Sequence, residues 1–184
     1  MEEEHEHEEE SPIKRFLKRT YIIIIALFLI VLLIVNTNAG YHLISLFNGK
    51  IISSTLQEDY SFDLKFGGKV FFKENIYEIL REIYIKNQKA EFKACLTGYK
   101  EDNNYIVTGL YTPKIYAQDV FSVTSQICNN ETIISLHSHP PFRCIFSEQD
   151  ITSYNRFKQI NEDAIIALMC DVDRLSFFGY ERAL

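Results

Sequence analysis

The plainest pattern in the chain is a run from Tyr21 to Val35 in which every residue but the tyrosine is apolar. A helix half-buried on a globular core keeps a polar face, and this run has none. Its 15 residues reach ~22 Å at a rise of ~1.5 Å each. The stretch from Asn36 to Tyr41 brings the segment close to the ~30 Å of a bilayer's hydrocarbon core. We read Tyr21–Tyr41 as a transmembrane helix. A basic stretch before a short apolar run also describes a signal peptide, and Thr37-Asn38-Ala39 is a weak cleavage sequence, so removal of the segment stays open.

Past this run the pattern alternates between two periods. Ile76, Ile79, Leu80, Ile83 and Tyr84 form a helical stripe within Lys73–Lys89. Glu91–Lys100 and Tyr105–Thr112 read as strands of a hairpin around the polar turn Glu101–Asn104. Asp119–Ser125 and Thr132–Leu136 are further strands, Ser147–Asn161 is a helix, and Ala164–Cys170 with Leu175–Tyr180 is a closing strand pair. This order predicts an α/β fold: a mixed, curved β-sheet flanked by helices, behind one N-terminal transmembrane helix. The stretch from 42 to 70 is read as a linker and an uncertain start of the domain. No internal repeat is visible.

Charge adds orientation. The net charge of -6 is concentrated in Met1–Glu10, where seven of the 25 acids sit. A glutamate run with nothing apolar to bury is a solvated tail; its His5 and His7 also leave open a metal-binding tract. Residues 1–20 are thus an acidic and then basic tail. Lys14, Arg15, Lys18 and Arg19 precede the apolar run and no Lys or Arg follows until Lys50. The positive-inside rule then keeps the N-terminus cytoplasmic and places the following domain outside. The sequon Asn130-Glu131-Thr132 and four cysteines able to form two disulfides agree with that side. The cysteines include no C-x-x-C pair, which excludes a zinc knuckle. Without the tail the charges nearly balance, so a nucleic-acid partner is not expected.

The candidate chemistry lies between His137 and Asp150. His137 and His139 stand two apart at the end of an apolar strand, so both imidazoles leave the same side. Pro140 ends the strand, and Asp150 follows in the first turn of the next helix. Two imidazoles, one carboxylate and an open fourth position match the ligand set of a catalytic zinc. Cys144 is near, but a thiolate there would close the open position. Ser147 and Asp150 also match a capping box in outline, a role compatible with a second one.

His137-Ser138-His139-Pro140 followed by Ser147-Glu148-Gln149-Asp150 resembles the JAMM (MPN+, JAB/MPN-type) metallopeptidase motif, with matching spacing. The likeness covers roughly Phe72–Tyr180 and implies a domain over 71–184 with a cytidine-deaminase-like architecture. It implies one Zn²⁺ per chain held by His137, His139 and Asp150, and hydrolysis of peptide or isopeptide bonds in a protein or peptide substrate, including ubiquitin-like modifier conjugates. The strand Ala90–Gly98 is similar to the one that carries the family's acid. The resemblance therefore makes Glu91 the general base, with Glu101 and Glu131 its competitors, and Ser147 the oxyanion donor. The chain departs from the family at Leu136, where an aromatic is common, and at Pro141, where glycine is. The alternative is a non-catalytic MPN-like module that binds a modifier or a partner protein. Deaminase, metallo-β-lactamase and PHP patterns need residues that this chain lacks.

Overall fold

The computed structural model describes residues 11–37, 48–120, 122–139 and 143–179. The glutamate tail, the end of the predicted membrane segment at 38–41, Pro140–Phe142 and Tyr180 lie outside the described residues.

The chain divides into two compact units, Met1–Ile44 and Ser45–Leu184. In the first, helix α1 (Pro12–Val35) starts on an Ser11 N-cap, whose hydroxyl accepts from the Lys14 amide at 3.4 Å, with Pro12 in its first turn. The helix thus begins well before Tyr21 and includes the basic residues Lys14–Arg19. Its 24 residues measure ~36 Å, and its large apolar side chains from Ile13 to Ile34 are exposed. By length and composition it suffices to cross a membrane.

The second unit is a mixed α/β fold around an eight-stranded, curved and nearly closed sheet. Its strands are β1 (Ser54–Thr55), β2 (Ser61–Asp63), β3 (Lys69–Phe72), β4 (Lys93–Glu101), β5 (Asn104–Tyr111), β8 (Thr132–Ser138), β9 (Ile165–Asp171) and β10 (Arg174–Phe178). They run in the order β1-β10-β9-β8-β4-β5-β3-β2, with β3/β5 and β8/β9 parallel and the other pairs antiparallel. Between β5 and β8 a separate ribbon forms from β6 (Ile115–Gln118) and β7 (Val123–Ser125).

Helix α2 (Glu74–Lys86) covers one face of the sheet and buries Ile76, Tyr77, Leu80 and Tyr84. The Tyr77 hydroxyl donates to the Val172 carbonyl at 2.9 Å, and that of Tyr84 to Cys170 at 2.8 Å, so two buried phenols keep partners. Ile79, part of the predicted stripe, is 46% exposed. The buried face is centred one residue further on, because Tyr77 reaches the aromatic cluster of Phe62 and Phe72. Ala94, Leu96, Ile134, Leu136, Ala167 and Met169 complete this core. Helix α3 (Glu148–Lys158) belongs to the other face, where Phe157 packs with Cys95, Cys128 and Ala164.

Three further differences from the sequence reading have local causes. The stretch read as linker carries β1, β2 and β3, whose two to four residues are too short to show a period. Of the predicted strand 119–125 only Val123–Ser125 is extended among the described residues, since the Asp119 amide donates to the Ser122 carbonyl and the Ser122 hydroxyl to Asp119 Oδ2. Its partner β6 was masked by exposure, three of its four residues facing water.

Gly98 sits at a bulge where β4 slips against both neighbours. A Cβ there would run into the Ile106 carbonyl oxygen. Gly98→Ala is therefore expected to cost about 2 kcal/mol and lower the melting temperature by roughly 8 °C. A change under about 2 °C in a thermal melt would show that the bulge relaxes freely.

Candidate metal centre

Strand alternation decides which side chains meet. His137 pairs with Lys93 and Ser135 with Cys95 across the β4/β8 ladder, so these four leave the sheet on the same side. Glu91 lies two residues before β4, and His139 one residue beyond β8, both in phase with that side. The parallel β8/β9 pair requires a crossover, and α3 supplies it. Its first turn brings Asp150 over the end of β8.

Backbone hydrogen bonds hold the ends of these strands. The His139 amide donates to the Met169 carbonyl at 3.0 Å, and the Ser138 amide to the Phe92 carbonyl at 3.0 Å. The Ser138 hydroxyl accepts the Phe92 amide at 3.0 Å, which extends the ladder beside Glu91. The Glu91 amide donates to the Asp119 carbonyl at 2.7 Å. Ser138→Ala leaves the buried Phe92 amide without its acceptor and is expected to cost about 1–3 kcal/mol, with the metal site retained. Denaturant unfolding checks the first and metal content the second.

The polar atoms converge. Asp150 Oδ1 stands 3.0 Å from His137 Nε2, and Asp150 Oδ2 stands 3.7 Å from His139 Nε2. Glu91 Oε1 stands 3.4 Å from the same His139 nitrogen. Ligand atoms of His137, His139 and Asp150 all lie within 4.8 Å of one another. Glu91, His137 and His139 are buried. The competitors Glu101 and Glu131 are exposed and line no part of this cleft.

The residues fit a divalent cation. His137 Nε2 is buried without a hydrogen-bond partner: Asp150 is close, but not in the direction of a hydrogen bond. An orphaned buried nitrogen is costly unless something occupies its lone pair. His139 Nδ1 lies 3.2 Å from the Arg143 carbonyl. A proton on Nδ1 satisfies that acceptor and leaves the Nε2 lone pair facing Asp150 and Glu91. Cys144 and Cys170 are joined in a disulfide, so Cys144 supplies no thiolate.

Charge follows from burial and neighbours. Burial and the adjacent His137 hold His139 down to about 4. Burial also lowers His137, against the attraction of Asp150. Both imidazoles are thus neutral and free to donate lone pairs. Burial alone would raise Asp150, but the pull of the His137 ring whenever it carries a proton and the two hydrogen bonds from Ser147 outweigh it and hold the carboxyl well below its usual range. Burial, with Asp150 and Asp119 nearby, pushes Glu91 up to about 8. A cation in the cleft would oppose that rise.

Ser147 forms the predicted capping box of α3. Its amide and hydroxyl donate to Asp150 Oδ2 at 2.7 and 2.8 Å, and its oxygen accepts the Asp150 amide at 3.2 Å. These bonds orient the carboxylate toward the imidazoles. They also engage the Ser147 proton, so donation to an oxyanion requires that the Asp150 contact be given up.

The cleft, of about 90 Å³, is also lined by Lys93 and Arg143, two cations that the motif does not contain. Lys93 had a legible signal, since it lies two residues after Glu91 on the same side of a strand. Arg143 had none, because a loop residue's direction depends on where the loop closes. No family model matches the chain, and no curated protein is similar to it.

Proposed function

We propose that the chain is a membrane-anchored, zinc-dependent hydrolase of JAMM type that cleaves peptide or isopeptide bonds in proteins, including conjugates of ubiquitin-like modifiers. The observation that carries this reading is the convergence of a buried, unpartnered His137 nitrogen with His139, Asp150 and Glu91 in a single cleft. A binding module has no need to bury a spare carboxylate against its ligand set. Cys95–Cys128 and Cys144–Cys170 support a domain that matures on the oxidising side of the membrane, as the basic flank of α1 also suggests.

His137, His139 and Asp150 would hold the cation. When bound, Zn²⁺ would supply Lewis acidity and make the attacking water a stronger acid. Glu91, beside His139, accepts a proton from the attacking water and returns it to the leaving amine. Ser147 keeps Asp150 aimed and, once released from it, donates to the developing oxyanion. Arg143 holds the tautomer of His139 through its carbonyl.

The test is metal analysis and cleavage by the full chain in detergent, offered a ubiquitin-like fusion and a peptide library. One zinc per chain with turnover is the expected result. Zinc without cleavage of any substrate would favour the modifier-binding module, and absence of zinc would overturn the reading.

A further inference from the structure

Two cavities meet at Lys93. One is the metal cleft; the other, of about 230 Å³, runs from it past the β6–β7 ribbon and the flank of α3. Lys93, Ser135, Gln149 and Ser153 line both, and the larger one reaches Thr124 and Arg156. The Lys93 ammonium makes no hydrogen bond or ion pair among the described residues. The residue is half-buried, and the chain has placed its ammonium in a cavity on the cleft side of β4, in register with His137, with no carboxylate in hydrogen-bond reach. The larger cavity offers it hydroxyls and amides and no carboxylate, whereas Glu91 and Asp150 line the metal cleft. Asp150, the acid nearest in effect, is already engaged by Ser147.

We infer that Lys93 and the cavity beside it form an anion subsite that takes a carboxylate of the substrate, one or two residues from the bond that is cut. A carboxylate is the chemistry that fits. The larger cavity adds only the exposed Arg156 to the charge of Lys93, and Arg143 lies in the metal cleft with Glu91 and Asp150, whose carboxylates repel a dianion more than a monoanion. The volume suffices, since a water molecule occupies ~30 Å³ of liquid. Cross-strand neighbours have Cβ atoms ~4.5–5.5 Å apart, so a group bound at Lys93 belongs to the same substrate that lies against His137. Position relative to the cut bond rests on the hydrolase reading; anion binding does not. The carboxylate has two sources, the α-carboxylate of a C-terminal residue or the side chain of an aspartate or glutamate.

The test uses the full chain with ¹³C-labelled lysines in detergent, the Lys93 Cε signal being assigned by its loss in Lys93→Met. N-acetylglycine offers an α-carboxylate, amidated N-acetylaspartate a side-chain carboxylate, and N-acetylglycinamide neither. A saturable shift with a carboxylate and none with N-acetylglycinamide is expected, and whichever carboxylate binds more tightly names the source. No saturable shift with either would overturn the subsite. In the zinc-loaded protein, peptide pairs that differ only in the bound carboxylate should differ about ten- to hundredfold in kcat/KM, mainly through KM. Lys93→Met should bring that ratio to within about threefold and Lys93→Arg should restore part of it, with zinc content and melting temperature reported for both. A saturable shift without hydrolysis of either peptide keeps the subsite and removes the peptidase. Equal hydrolysis of both, with an unmoved Lys93 signal, removes the subsite and keeps the peptidase.

Discussion

Glu91→Gln is expected to lower kcat about 10²–10⁴-fold while the protein keeps its metal. The amide has nearly the shape of the carboxylate and retains a carbonyl oxygen near His139, so packing in this buried position survives. It has no oxygen basic enough to take the proton of an attacking water, so the loss belongs to the chemical step. His139→Ala separates the two roles, because it removes one of three ligand donors and should release the cation. The contrast is read by metal analysis and single-turnover kinetics on both variants beside the wild type. Full activity in Glu91→Gln would show that the base lies elsewhere, and full metal occupancy in His139→Ala would remove that residue from the ligand set.

Reduction of the disulfides is expected to have the largest effect on stability. Cys95–Cys128 closes a loop with a sequence separation of 33, and Cys144–Cys170 one of 26. In the chain-entropy model each bond then contributes about 3.5 kcal/mol, by restricting the unfolded chain. Together these are comparable with the ~5–15 kcal/mol by which native proteins outlast unfolding. The melting temperature should therefore fall by more than about 10 °C in a thiol reductant. A fall under about 3 °C would mean that the cross-links contribute little.

The two bonds are not equivalent. Cys128 packs with Phe157 and Cys95 under α3. Cys144 instead follows Arg143, whose carbonyl faces His139, and ties that loop to β9. Replacing Cys144 and Cys170 by serine should weaken metal binding as well as stability. Replacing Cys95 and Cys128 should affect stability first. Calorimetric titration with zinc on the two double variants separates these outcomes, and equal zinc affinity in both would show that the Cys144–Cys170 clamp does not act on the site.

Much of the molecule was legible in one dimension because it rests on local periods. The apolar run of α1 has no competing reading as a strand, and the spacing in α2 and α3 is set by the 3.6-residue turn. His137 and His139 share a side because a strand alternates, and Asp150 belongs to a helix start because Ser147 caps it. Those three residues needed only strand and helix geometry to be set together as a group.

What needed the tertiary structure is what depends on distant segments meeting. Strands of two to four residues at 54–72 carry no period of their own, and they become strands only against β5 and β10. The pairing of four cysteines admits three connectivities, and the fold chooses by bringing Cys95 to Cys128 and Cys144 to Cys170. Glu91, one glutamate among many in sequence, is distinguished by burial beside His139, which follows from β4 lying next to β8. The same adjacency sets Lys93 on the cleft side of β4, its ammonium without a hydrogen bond or ion pair among the described residues. Local sequence sets which way each side chain points from its own strand, but the electrostatic environment of a charge is set by whichever strands and loops close around it.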